Sequence, residues 1–232
     1  MASPVQKPHL EILVKEPAEP KEVLAEEAYR IFNYIGDLQF IGDFYLAGGT
    51  GLALQIGHRI SIDFDFFTDK NKLSLSGREK ILSELRRGSD ITVESQEEGT
   101  LTVRLDNTLV SFFHYPYPLI EPTRKVGDVG VASLADIAAM KLSAIVSRGT
   151  KKDFVDLYFI IRDHVPLKNV LELGERKFKD VRDFHVQGLK ALVYFEDAEK
   201  ERIPKMTKKV AWQDIKKFFS NAVSEEMRSE IR

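Results

Sequence analysis

Two aspartates, Asp63 and Asp65, sit in the alternating run Ile62-Asp63-Phe64-Asp65-Phe66. On a strand, residues two apart share a face, so the carboxylates point one way and Phe64 and Phe66 the other. Two adjacent carboxylates repel each other unless a cation sits between them. A hard ion such as Mg²⁺ takes oxygen ligands and keeps positions open for phosphate and water. A solvated acidic face on an edge strand has the same pattern, so the pair alone decides nothing. Upstream, Gly48-Gly49-Thr50 follows a short apolar strand, Phe44–Ala47, and precedes a short helix, Leu52–Ile56. Glycines there let backbone approach a ligand, the helix N-terminus offers unpaired N–H groups, and Thr50 adds a hydroxyl. Twelve residues separate Thr50 from Asp63. One part suits a triphosphate and the other its metals, which is the layout of phosphoryl or nucleotidyl transfer.

Other residues could join them. Lys141 lies inside a predicted helix, where its ammonium would meet phosphate oxygens; a lysine among apolar neighbours also snorkels with its stem buried. Arg148, two turns on, could assist or simply complement the helix dipole. Asp153 is the acid of a Thr150-x-x-Asp153 capping box, and it could also orient Lys141 or act as a base. Asp156 reads as a supporting partner for basic neighbours. Arg59 and Ser61 lie in the loop feeding the acidic strand, where phosphate contact and plain polarity are equally open. The run Phe112-Phe113-His114-Tyr115-Pro116-Tyr117 could stack a base, but buried strand packing is the better reading. The five histidines lack close metal-ligand spacing, and neither a Gly-x-Ser-x-Gly elbow nor a Gly-x-x-x-x-Gly-Lys loop occurs.

The elements that must position these groups can be read coarsely. Residues 1–20 are proline-rich and read as an extended arm, with a short strand at Leu10–Lys15. Leu24, Ala28, Ile31 and Ile35 recur at helical spacing, and Gly36 is expected to end that helix in a left-handed conformation. Residues 77–87 predict an amphipathic helix with Ile81, Leu82 and Leu85 inward and its basic side chains outward. Strands follow at Ile91–Glu94, Leu101–Leu105 and Leu109–Tyr115, with Asp106-Asn107 as a tight turn. A short strand near Val129–Val131 precedes a helical remainder. Ser133-x-x-Asp136 opens one helix, which Gly149 closes; Thr150 opens the next, and further helices are expected near 168–177, 182–200 and 211–229. The plan is α+β: a small mixed sheet with helices over 1–132, then a helical lobe over 133–232 that completes the active site.

Composition narrows the class. The chain has 232 residues, 43% hydrophobic and 30% charged, with a formal net charge of -2, enough to bury a core. Residues 1–120 carry an excess of acid and residues 121–232 an excess of base. The absence of cysteine excludes disulfides, thiolate zinc sites and cysteine nucleophiles, and fits a reducing cytosol. No apolar run approaches the roughly 18 residues of a membrane helix, and the first residues have no signal-peptide core. A cytoplasmic protein without membrane contact is expected.

These residues also carry a resemblance. Gly49-Thr50, twelve residues, then Asp63-Phe64-Asp65 resembles the signature of the DNA polymerase beta-like nucleotidyltransferases. The longer form, Leu46-Ala47-Gly48-Gly49-Thr50 through His58-Arg59-x-Ser61-x-Asp63-x-Asp65-x-Phe67, is similar to the AbiEii/AbiGii toxin-type nucleotidyltransferases. Lys141-x-x-Ala144-x-x-x-Arg148 and Lys152-Asp153-x-x-Asp156-Leu157 look like later motifs of that family. The patches span about residues 44–160. The resemblance implies an αβ nucleotidyltransferase core with a helical domain, and Mg²⁺-dependent transfer of a nucleotide from an NTP. It implies Asp63 and Asp65 as metal ligands, and Asp63, Asp65, Lys141 and Asp153 as catalytic residues. Gly48, Gly49, Thr50, Arg59 and Ser61 would bind the nucleotide. Members are typically toxins of toxin–antitoxin or phage-defence pairs, so a cognate antitoxin is an expected partner, and for some the acceptor is the 3′ end of tRNA. One feature departs from the superfamily pattern. A third carboxylate usually stands on a later strand, and the matching run, Thr108–Tyr115, carries no acid. Asp106 and Glu94 have no motif support. Either Asp153 supplies the base, or the protein binds NTP with poor turnover and acts through a partner. Modification of a protein side chain, in place of RNA, is the other acceptor class.

Overall fold

The computed structural model describes residues 18–230; the strand expected at Leu10–Lys15 lies outside them. Helices α1 (Pro20–Val23) and α2 (Glu26–Gly36) lead through a 3₁₀ turn into strand β1 (Tyr45–Leu46), helix α3 (Gly48–Ile56) and strand β2 (Phe64–Thr68). Helix α4 (Leu75–Leu85) precedes β3 (Ile91–Glu97), β4 (Thr100–Leu105) and β5 (Thr108–His114), then the short hairpin β6 (Arg124–Val126) and β7 (Val129–Val131). Helices α5 (Leu134–Ser147), α6 (Lys151–Asp163), α7 (Leu167–Lys177), α8 (Phe184–Ala191), α9 (Glu196–Glu199) and α10 (Trp212–Glu230) complete the chain. The strands form one mixed sheet in the order β3-β4-β5-β2-β1-β7-β6, with β2 parallel to β5 and β1 parallel to β7. No helix of the described residues is long and apolar enough to cross a membrane.

Alternation along β2 and β5 assigns their side chains to two cores. Phe64, Phe66 and Phe112 pack with α1, α2 and α4, the last two rings stacked 5.5 Å apart. The helices after β7 build the other core, and they draw in Tyr45, Ala47, Leu52 and Ile56 from β1 and α3. Helix α3 therefore lies between both cores, buried from Gly49 to Ile56. Its apolar sides are all covered, and only Gly48, at its start, is partly exposed.

Several local expectations are corrected. The strand begins at Phe64 and not Ile62, because residues 59–63 bond elsewhere: Ser61 N donates to Val23 O at 3.0 Å and Thr50 Oγ1 donates to Asp63 O. The helix after β1 starts at Gly48, with Gly51 N already bonded to Ala47 O at 2.9 Å, so the glycines are its first turn. The first long helix breaks at Leu24-Ala25, where Leu24 bridges Ser61. Gly36 is its last helical residue; Asp37 caps it at φ -76°, so no left-handed glycine is used. Arg78 is buried and donates to Leu73 O, contrary to the outward basic face expected for α4. The run 182–200 divides into α8 and α9, with Leu192 and Tyr194 closing turns onto Gly188 and Ala191. Strand β6, only three residues long and mostly exposed, gave no periodic signal.

Candidate functional site

Asp63 and Asp65 stand at the mouth of β2, beside the first turn of α3. Gly48 has φ +61°, and a Cβ there would lie 2.6 Å from Asp65 Oδ2. Backbone and carboxylate can approach this closely only because the residue is glycine. Thr50 Oγ1 lies 2.7 Å from Ser61 Oγ and holds the Asp63 carbonyl, fixing the entry to the strand. Among the described residues, no side chain makes a hydrogen bond or ion pair to either carboxylate. Lost hydration pushes the Asp65 carboxyl above its usual range; Lys141 pulls it down, and Asp63 adds to the rise. Two ill-compensated hard oxygen donors fit a divalent cation. No group of three or more candidate metal ligands occurs among the described residues, so the chain itself offers these two.

Behind them lies a compensated cluster. Asp156 is fully buried and accepts four bonds: His58 Nε2 and Arg59 Nε at 2.7 Å on Oδ1, Arg59 Nη2 at 3.0 Å and Lys141 Nζ at 2.6 Å on Oδ2. Asp153 also accepts four: Lys141 Nζ at 2.9 Å and Arg148 Nη2 at 3.4 Å on Oδ1, Arg148 Nε at 3.0 Å and Thr150 Oγ1 at 2.7 Å on Oδ2. Burial works against both anions, yet the cations prevail: Asp156 is held well below the usual carboxylate range, and Asp153 below it. Burial likewise opposes the Lys141 charge, and Asp156 and Asp153 outweigh it, so the ammonium is held above its usual pKa. Desolvation holds the His58 pKa below its usual value; its Nε2 lies 2.7 Å from Asp156 Oδ1, and its buried Nδ1 has no partner among the described residues. Two of the three ammonium protons of Lys141 are committed, leaving one for the cleft.

Helix geometry explains the convergence. Ser133 and Thr150 accept from the N–H groups of Asp136 and Asp153, so both capping boxes form as expected and set where α5 and α6 begin. Asp153 and Asp156, one turn apart on α6, then share the face turned to α5 and the loop before β2. That loop is latched from far along the chain: Arg59 bridges Met206, Ile60 N donates to Lys205 O at 2.9 Å, and Thr207 N to His58 O at 3.1 Å. The Arg59 guanidinium lies over Gly49, where a Cβ would fall 1.9 Å from Nη2.

All nine sequence-predicted site residues meet here. Gly49, Thr50, Arg59, Ser61, Asp63, Asp65, Lys141 and Asp153, with Arg148 and Lys152, line a cleft of about 570 Å³. Gly48, Asp65, Lys141 and Asp153 also edge an adjoining apolar cavity of about 380 Å³. Asp106 and Glu94 do not take part. Asp106 forms the β4–β5 hairpin tip with φ 50°, and Glu94 pairs with Arg104 at 2.7 Å. Ser111, not an acid, stands opposite Asp65 on β5. Sequence reasoning underrated Asp156 and missed His58; their signal was a helical Asp-x-x-Asp pair and a buried-type His-Arg dipeptide.

Comparison with known proteins gives four likenesses. The model of the nucleotidyl transferase AbiEii toxin family, of type IV toxin–antitoxin systems, matches residues 31–228. An uncharacterized protein of Aquifex aeolicus (strain VF5) is 40% identical over 205 residues, which is 87% of this chain and 97% of that protein. The fold is similar to a putative nucleotidyltransferase of H. pylori (TM-score 0.54, 14% identity, covering 90% of this chain and 99% of that one). It is also similar to MenT4, a nucleotidyltransferase toxin of Mycobacterium tuberculosis (TM-score 0.55, 17% identity, 86% and 84%).

Proposed function

The chain belongs to the AbiEii family of nucleotidyltransferase toxins, and on that premise we propose that it moves a nucleotidyl group from a Mg²⁺-bound NTP to a hydroxyl of RNA, such as the 3′ end of tRNA. The observation that carries this reading is the pair of unpaired carboxylates, Asp63 and Asp65, facing a glycine-rich helix start across a cleft edged by Lys141. These two aspartates would hold the metal, which supplies charge neutralisation and in-line alignment of phosphate oxygens when bound. The first-turn N–H groups of α3 would cradle the phosphate tail, beside Thr50, whose hydroxyl proton is held by the Asp63 carbonyl. The remaining Lys141 proton, with Arg148 and Lys152, offsets the charge that builds on departing pyrophosphate.

Asp153 serves this step as a positioning residue. Its four acceptor sites are filled and its carboxyl is held below its usual range, so it aims Lys141 and is a poor proton acceptor. With Ser111 opposite Asp65, the acceptor hydroxyl loses its proton to water entering the open cleft. Turnover is therefore modest. The acceptor class is supported by residues 200–209, which carry Lys200, Arg202, Lys205, Lys208 and Lys209 against Glu201 alone, and whose Arg202 lines the cleft. A cognate antitoxin in the cytoplasm is the partner that family membership implies. Incubation with each α-labelled NTP, Mg²⁺ and cell extract, followed by RNase or protease, tests the proposal. Label lost to RNase supports it; label lost to protease transfers the reading to a protein acceptor. NTP binding without label transfer supports a degenerate binding protein acting through its partner.

A further inference from the structure

Two residues beyond Asp65, on the same face of β2, stands Phe67. Its register partner on β5 is Phe113, with ring centroids 5.3 Å apart and planes 30° apart; Tyr45 of β1 stacks on the other side of Phe67 at 6.0 Å, and Tyr115 meets it edge-on at 5.3 Å. On the opposite face of these strands Phe66 and Phe112 are fully buried, whereas Phe67, Phe113 and Tyr115 are only half-covered. They form one wall of the apolar cavity, and Ile137, Met140 and Ala144 of α5 form the other. The space is a slot of about 380 Å³ between a sheet and a helix, open at the carboxylate end. Asp65, Lys141, Arg148 and Asp153 border both the slot and the polar cleft. One strand repeat, roughly 6.6 Å between Cα atoms, separates Asp65 from Phe67.

We propose that this slot is a nucleobase-stacking subsite, in which a base lies against Phe113, the end ring of the row Tyr45, Phe67, Phe113, while its phosphate stays at the carboxylates. The inference rests on the nucleotidyl-transfer reading and adds the place of the base. Aromatic faces beside an apolar helix recognise a flat π-system, and they discriminate weakly among bases because every base has such a face. The same chemistry accepts the base of the incoming NTP or the terminal base of an acceptor strand. The sequence reading of 112–117 as strand packing thus holds for Phe112, whereas its two neighbours on alternate positions, Phe113 and Tyr115, face the slot.

Calorimetry with three kinds of probe tests this: each of the NTPs with Mg²⁺, inorganic tripolyphosphate with Mg²⁺, and a short single-stranded RNA. Phe113→Leu is expected to weaken NTP binding about 10-fold or more and to leave tripolyphosphate binding unchanged, while Phe113→Trp restores the NTP. A loss confined to the RNA oligonucleotide upholds the subsite and assigns it to the acceptor. If Phe113→Leu and Tyr115→Leu, each with a wild-type thermal midpoint, bind NTP and RNA as the wild type does, the subsite is overturned and nucleotidyl transfer stands. A wild type that binds neither NTP nor tripolyphosphate overturns both. Should Phe113→Leu unfold, Tyr115→Leu alone carries the same readout.

Discussion

Gly48 and Asp65 are locked together: the glycine's left-handed backbone brings its Cα against a carboxylate that a single methyl group would meet at 2.6 Å. Gly48→Ala is therefore expected to cost about 1–3 kcal/mol and to displace Asp65, lowering transfer at least ~10-fold. Gly127 has φ +56° but open space around it, so Gly127→Ala should cost about 1 kcal/mol and keep full activity. Thermal melts and label transfer on the two variants separate strain from obstruction.

Asp63→Asn combined with Asp65→Asn should abolish transfer with the fold intact. Asp65 bears an additional pH signature. Its folded pKa is raised, so ionising it opposes folding, and the native state is relieved as pH falls. Asp65→Asn should thus melt at or above the wild-type temperature at pH 7. That gain should vanish below the ordinary carboxylate range, near pH 4. A variant less stable than wild type at pH 7 and equally so at pH 3 contradicts this account.

Asp156 has the opposite sign. Its folded pKa is depressed, so its contribution is present above roughly pH 4 and is lost as pH falls further. Asp156→Asn strips the charge shared by Arg59 and Lys141 in a buried setting, and should cost about 3–5 kcal/mol. Chemical denaturation from pH 7 down to pH 3 checks it: the difference from wild type should shrink as the pH drops.

Lys141→Ala should lower kcat about 10²–10³-fold, leaving Asp153 and Asp156 paired with Arg148 and Arg59. In the wild type, kcat should climb with pH through neutrality and show no inflection from a carboxylate base. A plateau that Asp153→Asn removes would falsify the positioning role given to Asp153.

Local signals in the chain were strong where the cause was local. Both capping boxes, the Asp106 turn and the two-faced alternation of β2 and β5 depend on neighbours within four residues, and all could be read directly. Gly48 marked the turn between β1 and α3, although the helix begins on it and not after it. What could not be read depends on distant partners. One exception is nearer: the burial of Arg78 follows from the carbonyl of Leu73, five residues back and in a left-handed conformation. Three of the four bonds on Asp156 come from residues 97 and 98 positions away, and no periodicity encodes them. Candidate site residues were visible because their types are unusual for their places. Their division between cation-aiming and ligand-facing roles needed the pairing itself.

The bridge between Arg59 and Met206 has a last consequence. Backbone bonds from residues 205–208 hold the strip that carries His58, Arg59 and Ile60, so the aim of that arginine is set by the tail of the polypeptide. Nicking the protein just after residue 204 would unmoor the loop before β2 while every side chain lining it stayed covalently in place. A toxin built this way can be disarmed from behind.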